Sequence, residues 1–333
     1  MSVFAPSMSS LYKQISAYGI DPDPIFRQQG LDPRLIHDSN FRVSYDVTDR
    51  IAAIAIEQAA DPFFGLREAE YFRPAHLGAL GFAWLASPTL RHAIERLKRF
   101  GKLLSEHFEV TTTEENGELL VRASVLQPSL GERERDDSCL ATLVKMCRIV
   151  HGPGLNPTRV YSIHSEPNDT SGYYTYFQCR VEFDAEFNGF SLPLSLVDSR
   201  LNGGNEQLAQ MNDHIVVKYL AHINKKDIVN QVKTSILDEI TEGNANEAAA
   251  ADALHTTTRN LHRKLQAQGT SFKQLLTETR QELAEQYIND STLTLTEISY
   301  LLGFSEASSF TRSYKRWTGI PPSEARRRVN ENS

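Results

Sequence analysis

The sequence predicts an α+β N-terminal domain followed by an all-α C-terminal domain that holds two helix-turn-helix motifs joined by a long helix. Three observations predict it. Between Phe108 and Val125 apolar and polar residues alternate, the period of a half-buried strand, inside a region otherwise patterned for helices. From Thr294 onward a short helical pattern, a glycine and a second helical pattern follow in order. A similar order fills residues 248–268, which resemble residues 297–317 in kind. At 333 residues, 40% of them hydrophobic and 23% charged, the chain is long enough for two such domains and apolar enough to bury a core.

Taken in order, Leu11, Ile15 and Tyr18 mark a short helix, and Asp21-Pro22-Asp23-Pro24 and Asp32-Pro33 read as proline-rich turns. Val47 to Ala60 reads as a helix, and Phe63 to Ala83 is aromatic and broken by glycines. Ser87-Pro88 opens an amphipathic helix with Leu90, Ile94, Leu97 and Leu104 along one side, serine as the cap and proline in the first turn. Phe108-x-Val110-x-Thr112, the turn Glu115-Asn116-Gly117 and Leu119-x-Val121-x-Ala123-x-Val125 form a β-hairpin. Residues 133–151 are helical again, 160–164 and 191–193 flank a mixed region, 202–205 is a turn, and 206–223 is a helix. A loop at 242–246 leads into the C-terminal region. The expected boundaries are an α+β domain over 1–205, a helical linker over 206–243 and a C-terminal domain over 244–330.

The net charge of −7 argues against a nucleic-acid partner only until it is divided along the chain. Residues 1–243 carry 24 Lys and Arg against 32 Asp and Glu, whereas residues 244–333 carry 11 against 10. Positive charge is concentrated locally. Arg259, His262, Arg263 and Lys264 fall in an acid-free stretch, Arg312, Lys315 and Arg316 fall together, and Arg326, Arg327 and Arg328 close the region. Phosphate contact needs positive charge only where a helix meets the backbone.

Thr294-x-x-Glu297 has the form of a capping box ahead of Leu295, Ile298, Leu301 and Leu302, and Gly303 supplies the left-handed backbone that ends a helix. Ser305 is placed to cap a second helix, on which Phe310, Tyr314 and Trp317 recur at i, i+4 and i+7. At about 100° per residue, Ser308, Arg312 and Lys315 fall opposite that stripe. Upstream, Glu247 to Leu254 is a short alanine-rich helix, and Thr256 or Thr257 caps the next. There Leu261 and Leu265 are the buried pair; Arg259, Arg263 and Gln266 lie opposite, with His262 on the flank. Ser271-x-x-Gln274 opens a helix to about Ile288 whose Phe272, Leu275, Leu276, Leu283 and Tyr287 can pack on both motifs. A helix of about 19 residues spans about 28 Å, and successive major-groove faces on one side of B-DNA lie about 34 Å apart. With flanking turns, such a spacer seats both second helices on one DNA face. Each copy alone could be a solvated amphipathic hairpin, but two hairpins would need no such separation.

These residues carry a family resemblance. Residues 246–328 resemble the C-terminal DNA-binding domain of AraC/XylS-family bacterial transcription regulators. The matching elements are Thr257-x-Arg259-x-Leu261-x-Arg263-x-Leu265, Gly269-x-Ser271-Phe272, Ile298 with Gly303-Phe304, Phe310-x-Arg312-x-Tyr314-Lys315-Arg316-Trp317-x-Gly319 and Pro321-Pro322-Ser323-Glu324-x-Arg326. Ser299 stands where alanine is usual, Ala325 where an aromatic is usual and Thr257 where serine is usual, which leaves local packing open. By position, the resemblance implies base reading by Arg259, His262 and Arg263 in the first motif and by Ala307, Ser308 and Arg312 in the second. Ala307 offers a methyl group and Ser308 one hydroxyl, so the second motif is expected to be the weaker reader, while Lys315 and Arg316 are placed for phosphates. In the N-terminal region, Phe64-Gly65-Leu66-Arg67, Phe72-Arg73-Pro74, Leu77-Gly78-x-Leu80-Gly81, Ser87-Pro88-Thr89-Leu90, Phe177-x-Cys179-x-Val181-x-Phe183 and Leu192-Pro193 are similar to one group of this family. That group has an arabinose-binding-type N-terminal domain and includes ornithine-utilisation regulators. The resemblance implies an effector-sensing domain that also dimerises.

Arg67, Glu68, Glu70, Arg73 and His76 cluster near Phe63, Phe64, Tyr71 and Phe72. Arg67, Glu70, Arg73 and His76 are candidates for a pocket that takes a charged small-molecule effector; structural ion pairs are the commoner use of such charges, and both readings stand. The acidic run 132–137, with Asp136 and Asp137, reads as a solvated loop or helix start. Ten histidines form no H-x-x-x-H or H-E-x-x-H, and no G-x-S-x-G, Walker lysine or G-x-G-x-x-G motif is present, so no metal, cofactor or catalytic residue is expected. Gly152-Pro153-Gly154 reads as a turn, because its proline lacks an N–H for phosphate. Cys139, Cys147 and Cys179 read as reduced thiols, the run Ile51 to Ala60 is too short to span a bilayer, and the first ten residues lack a signal-peptide pattern.

The expectation is a bacterial, cytoplasmic, sequence-specific transcription regulator that responds to an effector, reads two adjacent major-groove sites and joins the nucleoid when bound. Its expected partners are double-stranded promoter DNA, a small-molecule effector, RNA polymerase and a second copy of the chain, with no membrane. The alternatives are a constitutive or architectural DNA binder whose N-terminal domain only dimerises, and an enzyme with a DNA-binding tail, for which no catalytic constellation is found.

Overall fold

Polar caps and proline positions set where some of the early helical segments begin. The chain divides into two units, Met1–Val216 and Val217–Ser333, and this computed structural model describes residues 2–223, 228–240, 243–288 and 293–331. The first unit opens with β1 (Ser2–Phe4), α1 (Ser9–Ala17), α2 (Pro22–Gln28), β2 (Arg42–Ser44), α3 (Tyr45–Ala59), α4 (Phe64–Tyr71), α5 (Ala79–Ala86) and α6 (Leu90–Phe100). Asp21-Pro22, expected as a turn, is the start of α2: the Asp21 carboxylate accepts the Asp23 N–H at 3.1 Å, and proline in the first turn loses no hydrogen bond. Asp32 does the same at 3.0 Å for a 3-10 turn over Pro33–His37. Thr89, not Ser87, caps α6 by accepting from the His92 N–H. Ser87 is instead buried and donates to the Ala83 carbonyl at 2.8 Å, and Leu104 lies beyond the helix.

The hairpin forms as its pattern predicts. Asn116 (φ 54°) and Gly117 (φ 79°) both take left-handed backbone, as a two-residue hairpin turn requires, so β3 (Phe108–Glu115) and β4 (Glu118–Val125) pair with Phe108 opposite Val125. After α7 (Glu132–His151) come β5 (Arg159–Tyr161), α8 (Ser171–Phe177), β6 (Arg180–Glu182), β7 (Gly189–Pro193) and the short α9 (Leu194–Val197). The strands form one sheet in the order β3-β4-β7-β5-β6, antiparallel except for the β5–β6 pair. Its register aligns Val121, Phe190, Val160 and Val181 in one buried cross-strand row, the face that a period of two produces. A second apolar cluster around Ile15, Phe26, Ile36, Ile51 and Phe64 holds α1 to α4 together.

α10 (Glu206–Ile223) begins in the first unit. Its start is fastened by a buried cation that the apolar pattern of α6 does not reveal: Arg96 donates to Asp213 at 3.0 Å, to Glu206 at 2.6 Å and to the Ser87 hydroxyl at 3.1 Å. The acidic run at 132–137 is a helix start, one of its two expected forms, but it is not solvated throughout. It begins α7, and Asp136 and Asp137 are buried, the first against Arg135, His164 and Asn188 and the second against the Tyr173 hydroxyl. The cysteines are free, and burial pushes the thiols of Cys139 and Cys147 up to about 12 and that of Cys179 to about 11, which keeps them protonated and unreactive. Among the described residues no helix is long and apolar enough to cross a membrane.

The second unit is helical: α11 (Ile228–Glu239), α12 (Glu247–Ala253), α13 (Thr258–Ala267), α14 (Phe272–Ile288), α15 (Leu295–Leu301), α16 (Ala307–Thr318) and α17 (Pro322–Glu331). α11 falls in the stretch expected as a linker, yet Ile228, Val232 and Ile236 on it, and Ile240 just beyond, are buried in this unit's core. The same core takes Leu261 and Leu265 from α13, Leu275, Leu283 and Tyr287 from α14, and Phe310 and Tyr314 from α16. α14 therefore shares one core with both motifs. Glu242, at the start of the expected loop, lies outside the described residues.

Candidate nucleic-acid interface

Asn246 caps α12 by accepting the Ala249 N–H at 2.9 Å. The choice left open between two threonines resolves to Thr257, whose hydroxyl accepts the Asn260 N–H at 3.2 Å, while Thr256 accepts from the Asn260 side-chain amide at 2.9 Å. With Leu261 and Leu265 fully buried, the rest of α13 is turned outward: Arg259, His262, Arg263, Lys264 and Gln266 are all exposed. Asn260 also steadies Arg263, accepting from its guanidinium at 2.9 Å.

In the second motif the capping box is complete. The Thr294 N–H donates to Glu297 at 2.7 Å, and the Glu297 N–H donates back to the Thr294 hydroxyl at 3.1 Å. Gly303 (φ 68°) ends α15, with the Gly303 N–H on the Tyr300 carbonyl and the Phe304 N–H on the Ser299 carbonyl, both at 2.9 Å. The cap of α16 is Glu306 rather than Ser305, and its carboxylate accepts the Ser308 hydroxyl at 3.1 Å. Phe310 and Tyr314 are buried and Trp317 is half-buried, joined through Phe304 in a run of ring contacts of 5.7 to 6.3 Å. Ala307 is half-buried; Ser308, Arg312, Lys315 and Arg316 are exposed, and Arg312 donates to the Ser309 hydroxyl at 3.1 Å. Ser299 is fully buried with its hydroxyl on the Thr296 carbonyl at 2.8 Å, so that departure leaves no unpaired hydroxyl, and Ala325 packs half-buried on the core.

Two arginines that a count of positive charge would assign to phosphates are structural. Arg280 on α14 donates to the carbonyls of Leu302 at 2.9 Å and Gly303 at 3.0 Å, with its guanidinium 4.5 Å from the centre of the Phe304 ring. It thereby satisfies the free carbonyls at the end of α15 and ties α14 to the turn of the second motif. Arg326 donates to the carbonyls of Tyr287 at 3.2 Å, Ile288 at 3.3 Å and Leu293, so the first of the three closing arginines points inward. Arg327 is exposed, and the side chain of Arg328 lies outside the described residues. No sequence signal separates these inward arginines from outward ones; the carbonyls they reach are 22 to 39 residues away.

The effector candidates do not converge. Exposed Arg67 pairs with Asp61 at 2.7 Å, and exposed Arg73 donates to the carbonyls of Glu70 and Phe72. Glu70 is exposed. His76 is buried against the Phe72 ring and accepts the Arg73 N–H on Nδ1 at 3.3 Å; burial pushes its imidazole down to about 4, so the ring is neutral. None of the four lines a cavity in the N-terminal unit that is bordered instead by Phe64 and Glu68 of the same segment. Among the described residues no group of three His, Cys, Asp or Glu is placed to hold a metal ion.

Comparison with known proteins places both halves. Residues 19–201, more than half of the chain, match the family described as the arabinose-binding domain of AraC transcription regulator, N-terminal. Residues 250–328 match a helix-turn-helix domain. The ornithine utilization regulator of Pseudomonas aeruginosa is 27% identical over 320 residues, covering 95% of this chain and 94% of its own length. The HTH-type transcriptional regulator VirS of Mycobacterium tuberculosis is 26% identical over 316 residues, 92% of this chain and 91% of its own. Among solved structures, the transcriptional regulator CdpR from Pseudomonas aeruginosa has the same fold, with a TM-score of 0.50 at 19% identity over 96% of this chain and 98% of that one.

Proposed function

The chain belongs to the AraC-type transcription regulators with an arabinose-binding-type N-terminal domain, and from that premise we propose that it is effector-responsive and reads two adjacent major-groove sites with α13 and α16. The observation that supports this best is the pair of exposed outer faces, Arg259, His262 and Arg263 on α13 and Ser308, Arg312, Lys315 and Arg316 on α16, each opposite side chains buried in one shared core. A shared core fixes the two helices relative to each other, and α14, at 17 residues and about 25 Å, is the spacer between them. Arg259, His262 and Arg263 take base edges in the first site. Ala307, Ser308 and Arg312 take them in the second, more weakly, because the Ser308 hydroxyl is engaged by Glu306. Lys315 and Arg316, in the last turn of α16, take phosphates.

In this reading residues 1–205 sense a small molecule and dimerise, residues 244–330 together with α11 bind promoter DNA, and RNA polymerase is the further partner in the bacterial cytoplasm. The effector acts by binding one arrangement of the two domains better than another and so shifting promoter occupancy. A binding study of three variants tests the roles. Arg259→Ala and Arg263→Ala should each cost about 1–3 kcal/mol at the preferred sequence and relax the preference at one position. Lys315→Ala should weaken binding to all sequences alike and reduce the salt slope by about 1. Equal effects of all three on specific and nonspecific DNA would overturn the assignment.

A further inference from the structure

Glu68 is the acid of the 67–76 cluster that faces inward. One helical turn after Phe64 on α4, it borders a cavity of about 240 Å³ walled by α1, α3, α4 and α7. The walls are mainly apolar, through Met8, Leu11, Ala52, Ile56 and Phe64. The charged groups at its border are unequal in sign: Asp49, Glu68 and Glu134 against the single cation Arg135. Asp49 is occupied by the Ser129 hydroxyl at 2.5 Å and the Leu130 N–H at 3.1 Å. Arg135 is occupied by Asp136 at 2.9 Å, the Gln127 carbonyl at 2.6 Å and the Tyr45 hydroxyl at 3.1 Å.

Glu68 is left with two serine hydroxyls, Ser10 at 2.9 Å and Ser138 at 2.6 Å, and no cation. Burial accordingly pushes its carboxyl above the usual carboxylate range. Glu134 has no hydrogen bond or ion pair from its carboxylate among the described residues. A carboxylate facing apolar walls without a countercharge is unfavourable unless something else supplies the charge.

We propose that this cavity is the effector site and takes a small organic cation, a primary amine or guanidine on a short apolar body, whose charged end pairs with Glu68. The proposal rests on the effector-responsive reading above. Glu134, elsewhere on the same border, adds negative potential to the cavity, and the apolar walls cover the ligand's body. An anionic ligand would meet three carboxylates and an arginine already committed. A volume below the roughly 300–1,000 Å³ of drug-sized pockets restricts the ligand to metabolite size.

The test is thermal unfolding of the full-length protein with three probes of matched length, n-pentylamine, 1-pentanol and pentanoate, at constant ionic strength. The amine should raise Tm with concentration, and the alcohol and carboxylate should not. Glu68→Gln should weaken the amine's apparent affinity about tenfold while the circular dichroism spectrum is kept. If that variant fails to fold, Glu134→Gln, expected to weaken the amine, and Ala52→Phe, expected to fill the cavity and abolish its effect, take its place. Equal stabilisation by alcohol or carboxylate, no stabilisation by the amine, or unchanged amine affinity in the variants would overturn the proposal. Binding of the protein to its selected DNA separates the two readings. If occupancy responds to some metabolite but not to the amine, effector response stands and this ligand class falls. If the amine binds through Glu68 without altering occupancy, the site stands and the regulatory reading falls.

Discussion

Asp137, near the start of α7, is a buried carboxyl that receives the Tyr173 hydroxyl at 2.5 Å. Burial outweighs that hydrogen bond and the nearby Arg133 and pushes the carboxyl up to about 7. Because its folded pKa lies above its unfolded value, Asp137 contributes stability that is complete below about pH 4 and is lost as pH rises through 7. Asparagine at this position keeps an acceptor for Tyr173 without the charge. Urea unfolding at pH 6 and pH 8 should therefore show the parent chain losing about 1 kcal/mol more than Asp137→Asn across that interval; parallel pH profiles would refute it. His76 works in the opposite sense and lower range: with its imidazole pushed down to about 4, its contribution is lost as pH falls from about 6.5 towards 4. At this scale the exposed residues were legible and the buried charges were not. Arg259, Arg263, Arg312 and Lys315 are outward because leucines and aromatics at helical spacing fix the inward face. Arg96, Asp137, Arg280 and Arg326 are inward because distant hydroxyls, carboxylates and carbonyls receive them, and no local spacing encodes those partners.

At the scale of elements, the two motif turns make a contrast. Gly269 (φ 73°) and Gly303 (φ 68°) both follow a helix in left-handed backbone, but a Cβ at 269 would meet open space and one at 303 would lie 2.3 Å from the Ile240 carbonyl oxygen at the end of α11. Gly269→Ala should cost about 1 kcal/mol, the strain of the backbone alone. Gly303→Ala should cost more than about 2 kcal/mol, because α11 must shift as well. Denaturant midpoints of the two variants check this, and equal costs would mean that α11 does not brace the second motif. In the first unit, Arg96→Met would strand Glu206 and Asp213 and should lower stability by about 3–5 kcal/mol, measured as a fall in Tm. Caps with a strong local signal were legible, as at Ser271 and Thr294, while that of α13 was narrowed only to Thr256 or Thr257. Those at Thr89 and Glu306 were misplaced by one or two residues, and Asp21-Pro22 was misread as a turn, because one residue pair serves both a turn and a helix start.

For the whole molecule, an α+β unit precedes a helical one, and the periods of the sequence, two in the hairpin and 3.6 elsewhere, showed that order. What they did not show is α11 as part of the DNA-binding core, since a helix with one apolar stripe looks the same whether it links domains or completes one. Nor did they show the cavity beside Glu68, which exists only once α1, α3, α4 and α7 meet. The measurement that tests the account most directly is selection of fragmented bacterial genomic DNA by the purified full-length protein at two salt concentrations. Two helices held in one core predict a shared motif of two boxes about one helical turn apart, retained at the higher salt. Fragments with no shared motif, lost at the higher salt, would contradict it.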